Sequence, residues 1–509
     1  MRICVPVCVQ RARELEHAVE RAAAAGNMIE IRLDCLVGAE LDEALRHLPS
    51  LTSAHSCPFI ITLRPVEQGG HREMNTLNRL SFWLDHLGDD DNFGAAFADI
   101  ELELALLFTD GARLDWSRVI CSRHDFARSV PPDLDGIYER MAATPARVLK
   151  IAVLASEITD CLPIFRLLDR ARHEGRELIA LAMGEAGIMT RILGPSRGAF
   201  LTYGSLDAAT ATAPGQPSAV DLRDLYRVPK LNRQTEIMGL IGSPVAHSVS
   251  PHMHNAAFAA LDLNAVYIPL ETGDAGAFLR RMAHPRAREM DWNLRGLSVT
   301  APHKRAVLEH LDWIEPSALE IGAVNTIVVS NDELHGYNTD AAAFISPLKD
   351  KTGSLRDKRC AIIGAGGAAR SALWAMRREG AHATLFARNL ETARPLAEEF
   401  DASCEPLAGA SFDGFDVVVN ATPLGTRGQK EDDTPALAPQ LGGARLAYDL
   451  VYNPLETRFL REARRAGCDT IGGLSMLVAQ AVEQFKLWTG HAAAPVDVMR
   501  EAALRRLKD

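Results

Sequence analysis

Short apolar runs alternate with helical stretches from residue 1 to about 220. Eight of these runs read as strands: "RICVPV", "MIEIRLDCL", "FIITLRP", "FADIELEL", "RVICSRHDF", "RVLKIAVLA", "ELIALAMG" and "AFLTYGSL". Between most of them lie amphipathic or Ala/Leu-rich helix candidates such as "ARELEHAVERAAAAG". Eight strand–helix units in about 220 residues predict a (β/α)8 barrel within an α/β protein. A doubly wound open sheet is the alternative, and it usually has fewer strands. Residues 221–233 are charged, carry one Pro and lack a strong period, and so read as a linker after the 1–220 domain. A second α/β pattern follows. "EIMGLIGSPVAHSVSPHMHNAAF" reads as strand, turn and helix; "KRCAIIGAGGAARSALWAMRREG" is a strand, a Gly-rich turn and a helix. The chain ends in a helical segment, "PVDVMREAALRRLKD".

Polar residues interrupt the barrel pattern where chemistry is expected, at the C-terminal strand ends. Glu30, Arg32 and Asp34 stand on the second strand, Arg64 on the third, Glu101 on the fourth, His124 on the fifth and Lys150 on the sixth. Glu30 and Arg32 share one strand face because side chains alternate. Lys150 sits inside a run with Val and Ile on both faces, where an ammonium is costly unless something uses it. A lysine snorkelling at a strand end is the simpler alternative. Five consecutive strands carrying such residues point to a functional site.

Composition narrows the classes. The chain has 509 residues, 47% hydrophobic and 24% charged, as in a globular protein of several domains. A net charge of −11 argues against nucleic acid as a partner. No apolar run is long enough to span a membrane, so no membrane partner is expected. "MRICVPVCVQ" goes straight into a strand without a signal or transit peptide, which predicts a cytoplasmic protein. The nine cysteines are scattered; Cys4 and Cys8 are the closest pair, and no second pair or His cluster completes a zinc site. A reducing compartment and no metal are expected.

A lysine amine attacks a ketone only when deprotonated, and burial lowers an amine's pKa. The iminium that forms is an electron sink, so the neighbouring C–H becomes acidic. A base must take that proton and pass it to a leaving hydroxyl, and His124, one strand away, is the candidate. Arg32, Arg64 and Arg191 could hold a carboxylate and hydroxyls. Spacing alone fits aldolases and transaldolases as well. "EIRLD", "LRPVEQGG", "SRHDF", "LKIAV", "MGEAGIMTR" and "TAPGQ" occur in that order across the half. Together they resemble type I 3-dehydroquinate dehydratase. The resemblance implies an imine on Lys150 and acid–base work by His124. It implies a substrate lining of Glu30, Arg32, Arg64, Arg191, Thr212 and Gln216. Two positions depart from the family. Gln68 stands where a Glu that orients the histidine is usual, leaving Glu67 or Glu101 as substitutes. "TAPGQ" replaces "SAPGQ", keeping a hydroxyl at Thr212.

In the second half "IIGAGGAAR" follows a strand and opens a helix, a backbone that can approach a pyrophosphate. The next strand, "HATLFARN", ends at Arg388 with no acid beside it, which favours the 2′-phosphate of NADP over NAD. "GSPVAHSVSPHMHN", "LSVTAPHK", "GAVNTI", "GYNTD", "NATPLG", "YDLVYNPLET" and "GGLSMLVAQAVEQF" complete an ordered set. That set resembles shikimate dehydrogenase. The resemblance implies a catalytic pair, Lys304 and Asp340, and substrate contacts from Ser248, Ser250, Thr300, Asn325, Asp340, Tyr452 and Gln480. NADP contacts would come from Gly364, Ala365, Gly366, Gly367, Ala368, Arg388, Thr422, Leu450 and Gly473. Ala387–Arg388 replaces the usual Asn–Arg, and Thr426 a usual Met. The implied domains are a substrate-binding domain over 234–345, a Rossmann NADP domain over 346–472, and C-terminal helices over 473–509 that return to the substrate domain.

The product of the first reaction is the substrate of the second, so the whole chain resembles the bifunctional dehydratase–shikimate dehydrogenase. The expected partners are small molecules (3-dehydroquinate, 3-dehydroshikimate, shikimate) and NADP(H); oligomeric state stays open. Two rival readings are a quinate-responsive regulator without chemistry and an NAD-preferring quinate dehydrogenase. Lys150, His124, Lys304 and Asp340 oppose the first; the two serines of "HSVS" and Arg388 oppose the second.

Overall fold

A computed structural model of the chain describes residues 1–87, 93, 97–108, 114–126, 130–428 and 430–508. It divides into two compact units. The first comprises residues 1–236 with 264–282 and 289–293; the second comprises 237–263, 283–288 and 294–509.

The first unit is built on eight parallel strands: β1 (Ile3–Val7), β2 (Met28–Arg32), β3 (Phe59–Thr62), β4 (Phe97–Glu101), β5 (Val119–Asp125), β6 (Val148–Leu154), β7 (Glu177–Met183) and β8 (Thr202–Tyr203). They run in the order β7-β6-β5-β4-β3-β2-β1-β8, and a parallel bridge from Leu178 to Ala199, beside β8, nearly closes the ring. Every predicted strand is present, and the barrel rather than the open sheet is the fold. Helices cover the strands by burying one stripe: Leu15–Ala25 turns Leu15, Val19, Ala22 and Ala25 inward, at near-helical spacing. "FADIELEL" is strand only to Glu101. Leu102–Leu107 is a helix, as the strong helix formers Leu, Glu and Ala favour. The stretch expected as a linker packs into this unit, with Leu222 and Val228 buried and Arg223 Nη1 donating to the Ala24 carbonyl at 3.0 Å. Leu222 and Tyr226, four residues apart, supply its inward face.

In the second half β9 (Glu236–Gly242) leads into the helix Ser250–Ala260, as the pattern predicts; β10 (Ala265–Glu271) belongs to the first unit. β9 pairs in parallel with β11 (Leu294–Val299). The short β12 (Trp313–Ile314) pairs with β14 (Glu333–Tyr337), and β13 (Thr326–Ser330) is antiparallel to both β11 and β14. A second sheet is wholly parallel: β15 (Arg359–Ile363), β16 (His382–Ala387), β17 (Ser403–Pro406), β18 (Val417–Asn420), β19 (Leu446–Asp449) and β20 (Asp469–Ile471). Its order, β17-β16-β15-β18-β19-β20, is that of a doubly wound dinucleotide-binding sheet, which opens its ligand crevice at the C-terminal ends of β15 and β18. The helix Leu474–Thr489 then returns to the first sheet of this half. Gln484 bonds Ser298, Asn325 and Thr326, and Trp488 Nε1 donates to the Ile327 carbonyl at 3.0 Å. Among the described residues no helix is long and apolar enough to cross a membrane.

Candidate active sites

A barrel interior stacks in layers of four side chains taken from alternate strands. Here one such layer is polar. β2 supplies Glu30, β4 Asp99, β6 Lys150 and β8 Tyr203, all buried. Lys150 Nζ donates to Asp99 Oδ2 at 2.8 Å, to the Tyr203 hydroxyl at 2.8 Å and to Glu30 Oε1 at 3.3 Å. The three donors of the ammonium are thereby used, and Lys150, 3% exposed, does not snorkel. Asp99 also accepts from Arg64 Nη2 at 2.7 Å, and Arg64 Nη1 donates to Ser122 Oγ at 2.8 Å. Burial raises the Asp99 pKa, but Arg64, Lys150 and His124 outweigh it and hold the carboxyl far below its usual range. Thr62 Oγ1 donates to Glu30 at 2.7 Å and fixes its carboxylate.

Around this layer stand the remaining predicted groups. Asp34 clamps Arg32 in a bidentate pair at 2.8 and 2.7 Å. Arg191, on the helix Ile188–Leu193 after β7, is buried, yet among the described residues it has no carboxylate partner and its Nε has no acceptor. Burial lowers its pKa to about 10, so it stays cationic at neutral pH. Arg32, Arg64 and Lys150 are each matched by an acid, and among the described residues Arg191 is not. On the loop after β8, Gln216 Oε1 accepts from the Thr212 amide at 3.0 Å and its hydroxyl at 3.2 Å.

His124 stands near the end of β5, half-buried. Burial, then Arg64 and Lys150, hold its pKa well below 6.5, so the imidazole is neutral at pH 7. Its Nδ1 is buried without a partner among the described residues. Neither expected substitute acid, Glu67 or Glu101, orients this ring. Glu101 is paired with Arg79 at 2.7 Å, Glu67 is exposed on its turn, and neither bonds the ring. Gln68 acts on the backbone instead: its Oε1 accepts the His124 N–H at 3.0 Å while its Nε2 donates to Glu103 at 3.1 Å. The turn that carries Gln68 is tight, since a Cβ on Gly70 would lie 1.9 Å from the Arg64 carbonyl oxygen.

Sequence reading missed Asp99, Tyr203, Ser122 and Thr62. Only the register reveals them: Thr62 lies opposite Asp99, and Ser122 opposite Lys150. It also missed a cysteine pair. Cys8, just past β1, and Cys35, just past β2, form a disulfide with Cα atoms 5.4 Å apart. His71 joins them, its ring nitrogen and both sulfurs lying within 4.8 Å of one another. The pair is 27 residues apart in sequence, and only the parallel neighbouring of β1 and β2 brings their ends together.

The second unit holds a cavity of about 820 Å³ lined by each of the predicted substrate residues of this half. Ser248 and Ser250 enter from the turn before Ser250–Ala260, Thr300 and Lys304 from the turn after β11, and Tyr452 from the loop after β19. The β13/β14 hairpin places Thr326 opposite Tyr337, so the residues flanking it converge. Asn325 Nδ2 therefore reaches Asp340 Oδ1 at 2.7 Å, and Asp340 Oδ2 accepts from Lys304 Nζ at 2.5 Å. Gln480 lines the same cavity, as does Gln484 one helical turn on, which the i+4 spacing could have revealed. Gln484 holds the Asn325 carbonyl and the Thr326 hydroxyl at 3.2 and 3.0 Å.

Of the predicted cofactor residues, Ala368, Thr422, Leu450 and Gly473 line this cavity; Gly364, Ala365, Gly366, Gly367 and Arg388 lie outside its lining. The turn after β15 nonetheless has the form a dinucleotide needs. Gly364 has φ +109°, and a Cβ there would meet Thr422 and the Ala421 carbonyl at 2.8 and 3.0 Å. A Cβ on Gly366, the cap of the helix Gly367–Arg378, would project into open space. Arg388, just past β16, is exposed.

Comparison with known proteins agrees with this architecture. Residues 3–233 match the family model of type I 3-dehydroquinase, residues 240–327 that of the shikimate dehydrogenase substrate binding domain, and residues 473–504 that of the shikimate 5′-dehydrogenase C-terminal domain. The chain is 35% identical to the chloroplastic bifunctional 3-dehydroquinate dehydratase/shikimate dehydrogenase of Arabidopsis thaliana, over 96% of this chain and 82% of that one. It is 30% identical to a shikimate biosynthesis protein of Chlamydia pneumoniae, over 96% of this chain and 95% of that one. Among solved structures, a shikimate dehydrogenase in complex with NADP+ is 34% identical with a TM-score of 0.51, over 55% of this chain and 98% of that one.

Proposed function

Because the chain belongs to the bifunctional 3-dehydroquinate dehydratase/shikimate dehydrogenase family, we propose that its barrel dehydrates 3-dehydroquinate through an imine on Lys150 and that its second half reduces the resulting 3-dehydroshikimate to shikimate with NADPH. The observation that carries the reading is the buried polar barrel layer around Lys150, whose ammonium is held by Glu30, Asp99 and Tyr203.

In the barrel, Arg191 takes the substrate carboxylate, and Arg32, Arg64, Thr212 and Gln216 hold hydroxyls. Lys150 passes a proton to Glu30, and its nitrogen attacks the ketone; loss of water leaves the iminium. Neutral His124 takes the proton from the adjacent carbon, the electrons run into the iminium, and His124 returns a proton to the departing hydroxyl. Water then releases the product from Lys150.

In the second half, the turn after β15 and Arg388 suit NADP(H), with Gly364 to Ala368, Thr422, Leu450 and Gly473 framing it. When bound, NADPH supplies hydride to the carbonyl carbon. Ser248 and Ser250 hold the carboxylate. Thr300, Asn325, Tyr452 and Gln480 hold hydroxyls. Lys304 gives its proton to the carbonyl oxygen, and Asp340, fixed by Asn325, orients Lys304. We keep the sequence-derived functional domains as a proposal, with a dehydratase barrel over 1–220, a substrate domain over 234–345 completed by 473–509 and an NADP domain over 346–472, although residues 221–236, 264–282 and 289–293 fall in the compact unit of the barrel. Borohydride added to protein turning over 3-dehydroquinate tests the first step. The peptide holding Lys150 gains the mass of a reduced adduct, and Lys150→Ala abolishes the gain. Adduct on another residue, or none, contradicts the assignment.

A further inference from the structure

We propose that Cys8 and Cys35 form a reversible thiol–disulfide modification site, taking a low-molecular-weight disulfide of the glutathione class, that sets the grip of the barrel on its substrate. The proposal rests on the dehydratase reading of the barrel only for its effect, not for its chemistry. The two cysteines cap neighbouring parallel strands, so a bond between them joins the loops after β1 and β2 at the catalytic end of the barrel. Their exposures differ: Cys8 is exposed and Cys35 buried. That asymmetry divides the labour between an attacking thiol and a resolving one. His71, close to both sulfurs, can take the Cys8 proton. The other seven cysteines are unpaired, and five of them are buried.

The steps balance. The Cys8 thiol gives its proton to His71, and the thiolate attacks the small disulfide; one sulfur–sulfur bond forms as another breaks and a small thiolate leaves. The Cys35 thiol then gives its proton to the first small thiolate and its sulfur attacks Cys8 Sγ; the mixed disulfide breaks as the internal one forms, and the second small thiolate leaves with the proton held by His71. Two protein thiols are oxidised, one small disulfide is reduced to two thiols, and the reverse sequence restores the thiols.

The link to function runs through one residue. Asp34 precedes Cys35 and accepts from Arg32 twice, from the Arg64 amide at 3.2 Å and from the His71 amide at 3.2 Å. The disulfide pins the turn that carries Asp34, and with it the guanidinium of Arg32. Opening the bond releases that turn while leaving Lys150 and His124 in place. The oxidised form is therefore the tighter binder.

The test uses the full chain, reduced, desalted and equilibrated with set ratios of oxidised and reduced glutathione. Free thiols are alkylated and mapped by mass, and both activities are measured. Cys8 and Cys35 are expected to lose alkylation together while the other seven keep it. Reduction should raise the dehydratase KM by about three- to tenfold, as for a loosened rather than lost arginine contact, with kcat and the shikimate dehydrogenase rates unchanged. Cys8→Ser should hold the reduced KM at every ratio. Three results would overturn the proposal: a glutathione adduct that never resolves, a dehydratase KM indifferent to redox state, or zinc(II) bound one-to-one by the reduced protein and shielding both thiols. No dehydratase turnover in either state would contradict the assignment of the barrel instead, and the masses would still judge the disulfide.

Discussion

Lys150 Nζ and Asp99 Oδ2 lie 2.8 Å apart at the centre of the barrel, and the same Asp99 oxygen holds Arg64 at 2.7 Å. One buried carboxylate thus positions both the nucleophile and a substrate-binding arginine. Asp99→Ala leaves two buried cations short of a partner, which costs about 3–5 kcal/mol when a buried pair is broken. The milder Asp99→Asn keeps the shape and lowers dehydratase kcat by about 100-fold or more. Shikimate dehydrogenase activity in the same chain is the internal control and stays at the wild-type value. Equal losses in both activities would instead point to global unfolding.

His124 is held neutral by burial and by Arg64 and Lys150, with a pKa well below 6.5. Dehydratase kcat/KM is therefore flat from pH 7.5 down through 6.5 and falls only at lower pH. The linkage to stability has the same direction. As pH drops below 6.5 the unfolded chain takes up a proton at this residue before the folded one does, so the folded state loses stability. A pH–rate profile already half-lost at pH 6.5 would contradict this.

Gln68 touches the His124 backbone rather than its ring, and its other end faces Glu103 at 3.1 Å. Restoring the family acid with Gln68→Glu replaces that hydrogen bond by two facing carboxylates. The expected outcome is a dehydratase slower than wild type, by about tenfold, and not faster. Steady-state rates of Gln68→Glu and Gln68→Ala decide it; a gain in kcat with Glu would show that the acid reaches the imidazole.

Asp340 receives Lys304 on one oxygen and Asn325 on the other. Asp340→Asn replaces an acceptor with a donor facing Lys304 and should lower shikimate dehydrogenase kcat by about 100-fold or more. Asn325→Ala, which removes only the support, should cost less. Dehydratase rates should be unchanged in both.

Asp449, buried at the end of β19, accepts from Asn420, the Val451 amide and Thr457, and so ties together the loops that carry Thr422 and Leu450. Burial raises its pKa to about 6, against 3.8 in an unfolded chain, even though these three bonds lower it. The folded state therefore binds the extra proton between pH 4 and 6, and wild-type stability declines as pH rises through that window, by up to about 3 kcal/mol. Asp449→Asn does not titrate. Denaturation at pH 4.5 and 7.5 should show the variant gaining on wild type at the higher pH; a gap independent of pH would contradict it.

The fold was legible because its pattern is redundant. Eight short apolar runs at regular spacing leave little besides a barrel, and the strand–glycine turn–helix at Ile363–Gly367 fixes the second parallel sheet. Lys150, His124, Lys304 and Asp340 were legible because charge interrupts an apolar run or ends one. What stayed hidden depends on pairing across strands. Asp99 looks like one polar residue in "FADIELEL" until the barrel sets it against Lys150. Cys8 and Cys35 look unrelated until β1 and β2 lie side by side. The place of Gln68 stayed hidden because Glu67 or Glu101 was expected to orient His124, whereas the tight turn at Gly70 delivers Gln68 to the His124 backbone.

One chain carries both reactions. The direct measurement mixes purified protein with 3-dehydroquinate and NADPH and follows NADPH absorbance together with shikimate. NADPH should be consumed and shikimate formed in equal amounts, with Lys150→Ala abolishing both unless 3-dehydroshikimate is supplied. No NADPH loss with 3-dehydroquinate, alongside normal loss with 3-dehydroshikimate, would contradict a working dehydratase in the barrel.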